Sequence, residues 1–173
     1  NQSQENIARG GGLYLKIVAD AVQRHVLINF PALRDGNPVT GTAIALQPTI
    51  AELKALNRLN SGFPVGMPTR QVARIDIVRT GCPGATCQIT STVCTTTPVR
   101  TMGTGATRFD LAFAMLDEQT GSGGQSRQGD GANIRGPALN VPNPLGNVEG
   151  IVCGSSFVDV GMFDSFVRIQ DTR

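Results

Sequence analysis

The chain begins on a helical rhythm. Tyr14, Ile17, Val18, Ala21, His25 and Ile28 recur at three- and four-residue steps, and Lys16, Asp20, Gln23 and Arg24 fall on the other side. Lys16–Asp20 and Asp20–Arg24 are spaced for i,i+4 ion pairs. Leu15, Val22 and Val26 widen the apolar stripe, so this helix needs a broad apolar surface to lie on, most simply a sheet. Residues 1–33 read as one N-terminal helix with no proline before Pro31. Gly10-Gly11-Gly12 interrupts the pattern at a cost of about 2–3 kcal/mol of helix propensity. The expectation is therefore a firm helix from Leu13 to about Phe30 with a frayed or kinked start.

Asp35-Gly36-Asn37-Pro38 marks a turn. A short second helix follows, with Thr49 as N-cap and Glu52 completing a capping box. Ile50, Leu53, Leu56 and Leu59 share its face, Gly62 is the expected C-cap, and Pro64 blocks continuation. From Gln71 the period becomes two: Val72, Arg74, Asp76 and Val78 alternate with Ala73, Ile75, Ile77 and Arg79. Gly81 to Cys87 is a turn, and Gln88 to Val99 reads as the second strand of a hairpin. Its threonines suit a solvent-facing sheet edge. Phe109, Leu111, Phe113 and Met115 alternate within Arg108–Asp117, which predicts another strand. Residues 119–150 hold 11 Gly or Pro in 32 positions and read as a Gly/Pro-rich loop segment. Val148–Cys153 and Phe157–Arg168 are the last strand candidates. Two helices followed mostly by strands make an α+β fold, with a long N-terminal helix packed on an antiparallel β-sheet.

Composition narrows the classes. The chain has 173 residues, one domain's worth. Its 15 basic residues stand singly and the net charge is +2, so no basic patch for nucleic acid is visible. The longest apolar run, Leu111 to Leu116, is far shorter than the roughly 20 residues a bilayer needs. The chain does not begin with Met and shows no signal-peptide pattern, so the expectation is that a segment has been removed upstream.

Candidate chemistry is sparse. Cys82, Cys87, Cys94 and Cys153 form an even set in a loop-rich chain, which favours two disulfides in an extracytoplasmic protein. Three connectivities are open; the preferred one closes the hairpin tip with Cys82–Cys87 and ties the middle strand to the C-terminal region with Cys94–Cys153. Zinc is the competing reading, but Cys82-x4-Cys87 is at the edge of ligand spacing and the other two cysteines lie 59 positions apart. His25, the one histidine, sits on the apolar helix face and reads as a packed side chain rather than a catalytic one. Gly121 to Gly131 lacks the third glycine or the Lys-Ser/Thr of a phosphate-binding loop. Asp110, Asp117, Glu118, Asp130, Glu149, Asp159 and Asp164 show no calcium-loop spacing. No catalytic, cofactor-binding or metal-binding residue is assigned, and no enzyme activity is expected.

The chain resembles the soluble part of type IV pilins. In detail it resembles the constant N-terminal region of shufflon-type minor pilins of type IVb pili. The resemblance is carried by Leu15-Lys-Ile-Val-Ala-Asp-Ala-Val22 and by Thr49-Ile-Ala-Glu-Leu-Lys-Ala-Leu-Asn-Arg-Leu59 with Gly62-Phe63. Gly123-Gly-Gln-Ser126, Asn133-Ile-Arg-Gly136 and Gly146-Asn-Val-Glu-Gly-Ile-Val152 carry it further along. It implies a single pilin-like domain over 1–173 and assembly with other pilin subunits through the N-terminal helix. It also implies a membrane-anchored precursor, passage through inner membrane and periplasm to an extracellular pilus, and contact with a host or recipient cell surface. Two other readings compete: a secreted or periplasmic adhesin or carbohydrate-binding module outside any pilus, and an extracellular enzyme.

Overall fold

The computed structural model describes residues 2–101 and 104–171. Helix α1 (Gln2–Ile28) runs without a break through Gly10, Gly11 and Gly12. The expected frayed or kinked start does not occur, and the reason is packing. A Cβ on Gly12 would lie 2.2 Å from the Met115 carbonyl oxygen, and one on Gly11 would lie 2.7 Å from Thr69 Cγ2. These glycines let α1 approach its neighbours more closely than any other residue would, which offsets their poor propensity. The long helix stops at Asn29, and α2 (Phe30–Asp35) restarts it with Pro31 in the first turn, where the missing N–H costs nothing. The Arg79 guanidinium donates to the carbonyls of Leu33 and Arg34, both at 2.6 Å, and so satisfies the C-terminal end of α2.

Helix α3 (Ile50–Ala55) has the capping box: Glu52 N–H donates to Thr49 Oγ1, and Thr49 N–H donates to the Glu52 carboxylate. It ends earlier than the apolar spacing predicts. Asn57 turns left-handed at φ 60°, and Gly62 is not its cap.

Strand β1 (Ala73–Thr80) pairs antiparallel with β2 (Gln88–Thr95). A two-stranded ribbon follows, β3 (Arg100–Thr101) with β4 (Thr104–Thr107). Arg108–Asp117 is not a strand: Phe109–Asp117 is helix α4. The alternation misleads because Ala112 and Ala114 are as buried as Leu111 and Met115, so the small residues belong to the apolar face and carry high helix propensity. Residues 119–150 are not one loop either. They contain β5 (Gly124–Arg127), β6 (Asp130–Gly136) and β7 (Leu139–Pro142). The last strand, β8 (Val152–Asp159), continues directly into helix α5 (Val160–Asp171), where the sequence pattern predicted strand to Arg168.

The main sheet is antiparallel throughout, in the order β1-β2-β8-β5-β6-β7, with register shifts between β5 and β6 that help it curl. The chain is thus α+β, a long helix on an antiparallel sheet. The Thr-rich strand β2 is central rather than at the edge, and Ser91, Thr92 and Thr95 are buried. One face of the sheet supplies Ile75, Ile77, Ile89, Val93, Val152 and Val158 to a core completed by Leu15, Val18, Val22 and Val26 of α1. Gly154 on β8 again marks close approach, since a Cβ there would lie 3.1 Å from the Leu15 carbonyl oxygen.

Replacing Gly12 by Ala is expected to destabilise by about 1–3 kcal/mol through overpacking, against its helix propensity. Replacing Gly10, whose Cβ would meet Pro68 at an ordinary 3.7 Å, should be neutral or stabilising by up to about 1 kcal/mol. Urea-unfolding midpoints of the two variants check this; shifts of the same sign and size would refute it.

Candidate functional site

The four cysteines lie on the strand-rich half. Cys82–Cys87 closes the β1–β2 turn, and Cys94–Cys153 bridges directly opposed residues of β2 and β8 with Cα atoms 4.0 Å apart. The second bridge sits with Ile134, Leu139 and Ile151 in a small separate core. That core anchors the β5–β7 end of the sheet.

His25 is fully buried on the inner face of α1, with 0% of its surface exposed. Asn29 Nδ2 lies 3.4 Å from Nδ1, and Nε2 has no hydrogen-bond partner among the described residues. Burial pushes its pKa down to about 4, helped by the Arg58 charge and opposed by Glu52. The ring is neutral in the core at ordinary pH.

The carboxylates are engaged locally. Asp110 takes both oxygens to Arg108, which holds its carboxyl below the usual range. Arg135, then Asn133, does the same for Asp130. Glu149 accepts from Gly129 N–H, and Asp159 accepts from Met162 N–H in the first turn of α5. Among the described residues, no group of three or more His, Cys, Asp or Glu could hold a metal ion. Gly121 to Gly131 forms β5 and a hairpin turn with Gly129 at φ 81°, so no helix N-terminus stands behind it to cradle a phosphate.

What the fold does display is surface. The outer side of α1 leaves Leu13, Ile17 and Ile28 exposed by 48%, 41% and 37%, beside the Lys16–Asp20 pair. An amphipathic helix whose inner face is already buried does not need these side chains for its own fold. At its start, Arg9 bridges Glu5 at 2.8 Å, Asp117 at 3.3 Å and Glu118 at 3.6 Å, clasping α1 to the end of α4. Buried Gln119 donates to the Gly12 carbonyl at 2.6 Å beneath this clasp. Neither Arg9 nor Gln119 carries a motif, and their partners across the α1–α4 contact lie more than 100 positions away. Phe113, read from the sequence as one of a row of strand residues, points outward from α4. Among the described residues, no helix is long and apolar enough to cross a membrane.

Removing Cys94–Cys153 with paired Ala substitutions is expected to cost about 4 kcal/mol, and removing Cys82–Cys87 about 2 kcal/mol, because the bridges span 59 and 5 positions. Denaturant unfolding of both double variants tests the order, and a reversed order would refute it. His25 has a pH consequence of definite sign. The unfolded chain takes up its proton near pH 6.5, while the native ring resists until about 4. Stability present above pH 6.5 therefore declines between those values as pH falls, with a limiting slope of about 1.4 kcal/mol per pH unit. His25→Gln should lose this component and keep the carboxylate-driven loss at lower pH. Unfolding free energies from pH 7 to 4 check it, and an unchanged slope in the variant would refute it.

Comparison with family models, with curated proteins and with solved structures finds no match to this chain, so its chemistry is read from its own groups.

Proposed function

We propose that the chain is the globular domain of a type IVb minor pilin, a structural subunit that joins a filament through α1 and works at the outer surface of a bacterial cell. The observation that carries the reading is the two-sidedness of α1. Its inner stripe is consumed by the sheet, while its outer side exposes Leu13, Ile17 and Ile28 in one row, with the charged Asp20 and Arg24 between Ile17 and Ile28. A helix that must serve both its own domain and neighbouring subunits needs apolar side chains on both sides. The disulfide-stapled sheet supports an extracytoplasmic setting, where such bridges persist. The shufflon-type likeness of Leu15–Val22 and Thr49–Leu59 supports the type IVb assignment. Pilin subunits are the partners in this reading, and a host or recipient cell surface is the contact at the filament's exposed parts. The route runs through inner membrane and periplasm. No cofactor or nucleic acid enters it, and no reaction is assigned.

The test separates folding from assembly. Leu13→Arg and Ile17→Arg alter exposed positions, so the isolated domain should keep its stability within about 0.5 kcal/mol. Expressed from the natural gene, the unaltered protein should be found by antibody labelling in filaments sheared from the cell, and the two variants should be missing from them. Label confined to the periplasm or to filament-free medium would overturn the proposal, as would normal incorporation of both variants. The first of these results would favour a secreted adhesin outside any pilus.

A further inference from the structure

Strand β1 forms one edge of the main sheet, and the middle of that edge is open. Thr96 N–H donates to the Val72 carbonyl, so Val72, Arg74 and Asp76 turn their main-chain groups towards β2. The residues between them turn theirs to the outer side. That side is occupied at both ends: the Gln71 carbonyl accepts from Met67 N–H, and Ile77 N–H donates to the Leu46 carbonyl. Between these two bonds, Ala73 and Ile75 have no hydrogen-bond partner on the outer side among the described residues. Two residues past Leu46 stands Pro48, which has no N–H to carry a ladder further.

This gap opens into a cleft of about 480 Å³, within the size range of sites that hold a ligand. Ile50 and Ala51 of α3 form one wall, and Val65 and Val72 stand at its mouth, exposed by 54% and 59%. Among the described residues along the cleft only Arg74 is charged, and it is paired with Asp76. The cleft therefore offers main-chain donors and acceptors at strand spacing between apolar walls, with no unmatched charge.

We infer that this gap receives an extended segment of a partner protein chain, which adds to the sheet as one more antiparallel strand. A guest residue opposite Ala73 exchanges two hydrogen bonds with its N–H and C=O, and the residue two positions earlier in the guest reaches Ile75. Residues directly opposite each other share a face of the sheet. Ala73 and Ile75 face the core that Ile50 helps to form, so these two guest residues are apolar. The occupant is a single strand and not a second copy of this domain. The Met67 and Leu46 segments stand out beyond β1 on either side of the gap, so two β1 edges would block each other. The other sheet edge, β7, carries Pro142, which has no N–H to give. The inference does not rest on filament assembly, because it uses only groups of the isolated domain.

The experiment titrates isotope-labelled protein with millimolar capped peptide Lys-Val-Thr-Val-Thr-Val-Lys, followed by amide chemical shifts. Two further peptides carry N-methyl groups, one on its valines and the other on its threonines. The expected result is shifts clustered at Val72–Ile75, Thr49–Ala51 and Val65. The N-methyl-valine peptide should lose binding, because its valines face Ala73 and Ile75, and the N-methyl-threonine peptide should keep it. Ala73→Pro removes the outward N–H at an edge position where proline is tolerated, and should weaken binding about tenfold. Val78→Thr, on the same strand outside the cleft, should leave binding unchanged. Absence of shifts, shifts clustered elsewhere, an N-methyl-valine peptide that binds like its parent, or normal binding by folded Ala73→Pro would each overturn the inference. The methylated pair decides the question on the unaltered protein, whatever Ala73→Pro does to folding.

Discussion

The close seating of α1 is the constraint on which the other elements depend. Gly12 lies against the Met115 backbone and Gly154 lies beneath the Leu15 carbonyl, so α1 is fixed both to α4 and to β8 at spacings that leave no room for a side chain. Gln119 adds direction, since its amide reaches the Gly12 carbonyl from the turn that leaves α4. Interiors are packed densely enough that a single methylene is felt, and here the tolerance is smaller still. With α1 held at this depth, Leu15, Val18, Val22 and Val26 reach the sheet and α4 is trapped alongside. Phe113 is thereby turned outward and the opposite side of α1 is left free.

Much of this was legible in the residues, and the exceptions share a cause. The α1 stripe, the Thr49–Glu52 box and the β1–β2 hairpin are local patterns, with their partners within a few turns or across one tight connection. The failures need distant partners to be understood. Gly10 to Gly12 look like a break until Thr69 and Met115 are placed against Gly11 and Gly12. Phe109 to Met115 look like a strand until Ala112 and Ala114 are seen to be buried too. The glycines of 119–150 look like loop residues, yet Gly124 and Gly136 are where strands and turns approach too closely for a side chain. Threonines on β2 suggest exposure, but β8 covers that strand and the edge falls to β1. The candidate surfaces were legible only in part. The outer residues of α1 are visible in its periodicity, whereas the Arg9 clasp joins segments 108 positions apart with no local signature.

The division of labour between the two halves follows from these facts. The helical half gives one long two-sided helix whose inner face is spent. The strand half is held by two covalent bridges and a small second core around Cys94 and Cys153, so its loops can carry exposed polar groups without loosening the sheet. Assembly through the first and contact with the surroundings through the second are compatible uses of one domain, because the surfaces involved lie on different elements.

Native-state hydrogen exchange across the start of α1 tests the central claim most directly. If the glycine segment is seated against Met115, Thr69 and Gln119, the amides of Gly11 to Leu15 are protected nearly as well as those of Val18 to Val26, because opening them means undocking the helix. Exchange of Gly11 to Leu13 at the rate of an open chain, with protection beginning only beyond them, would contradict the account.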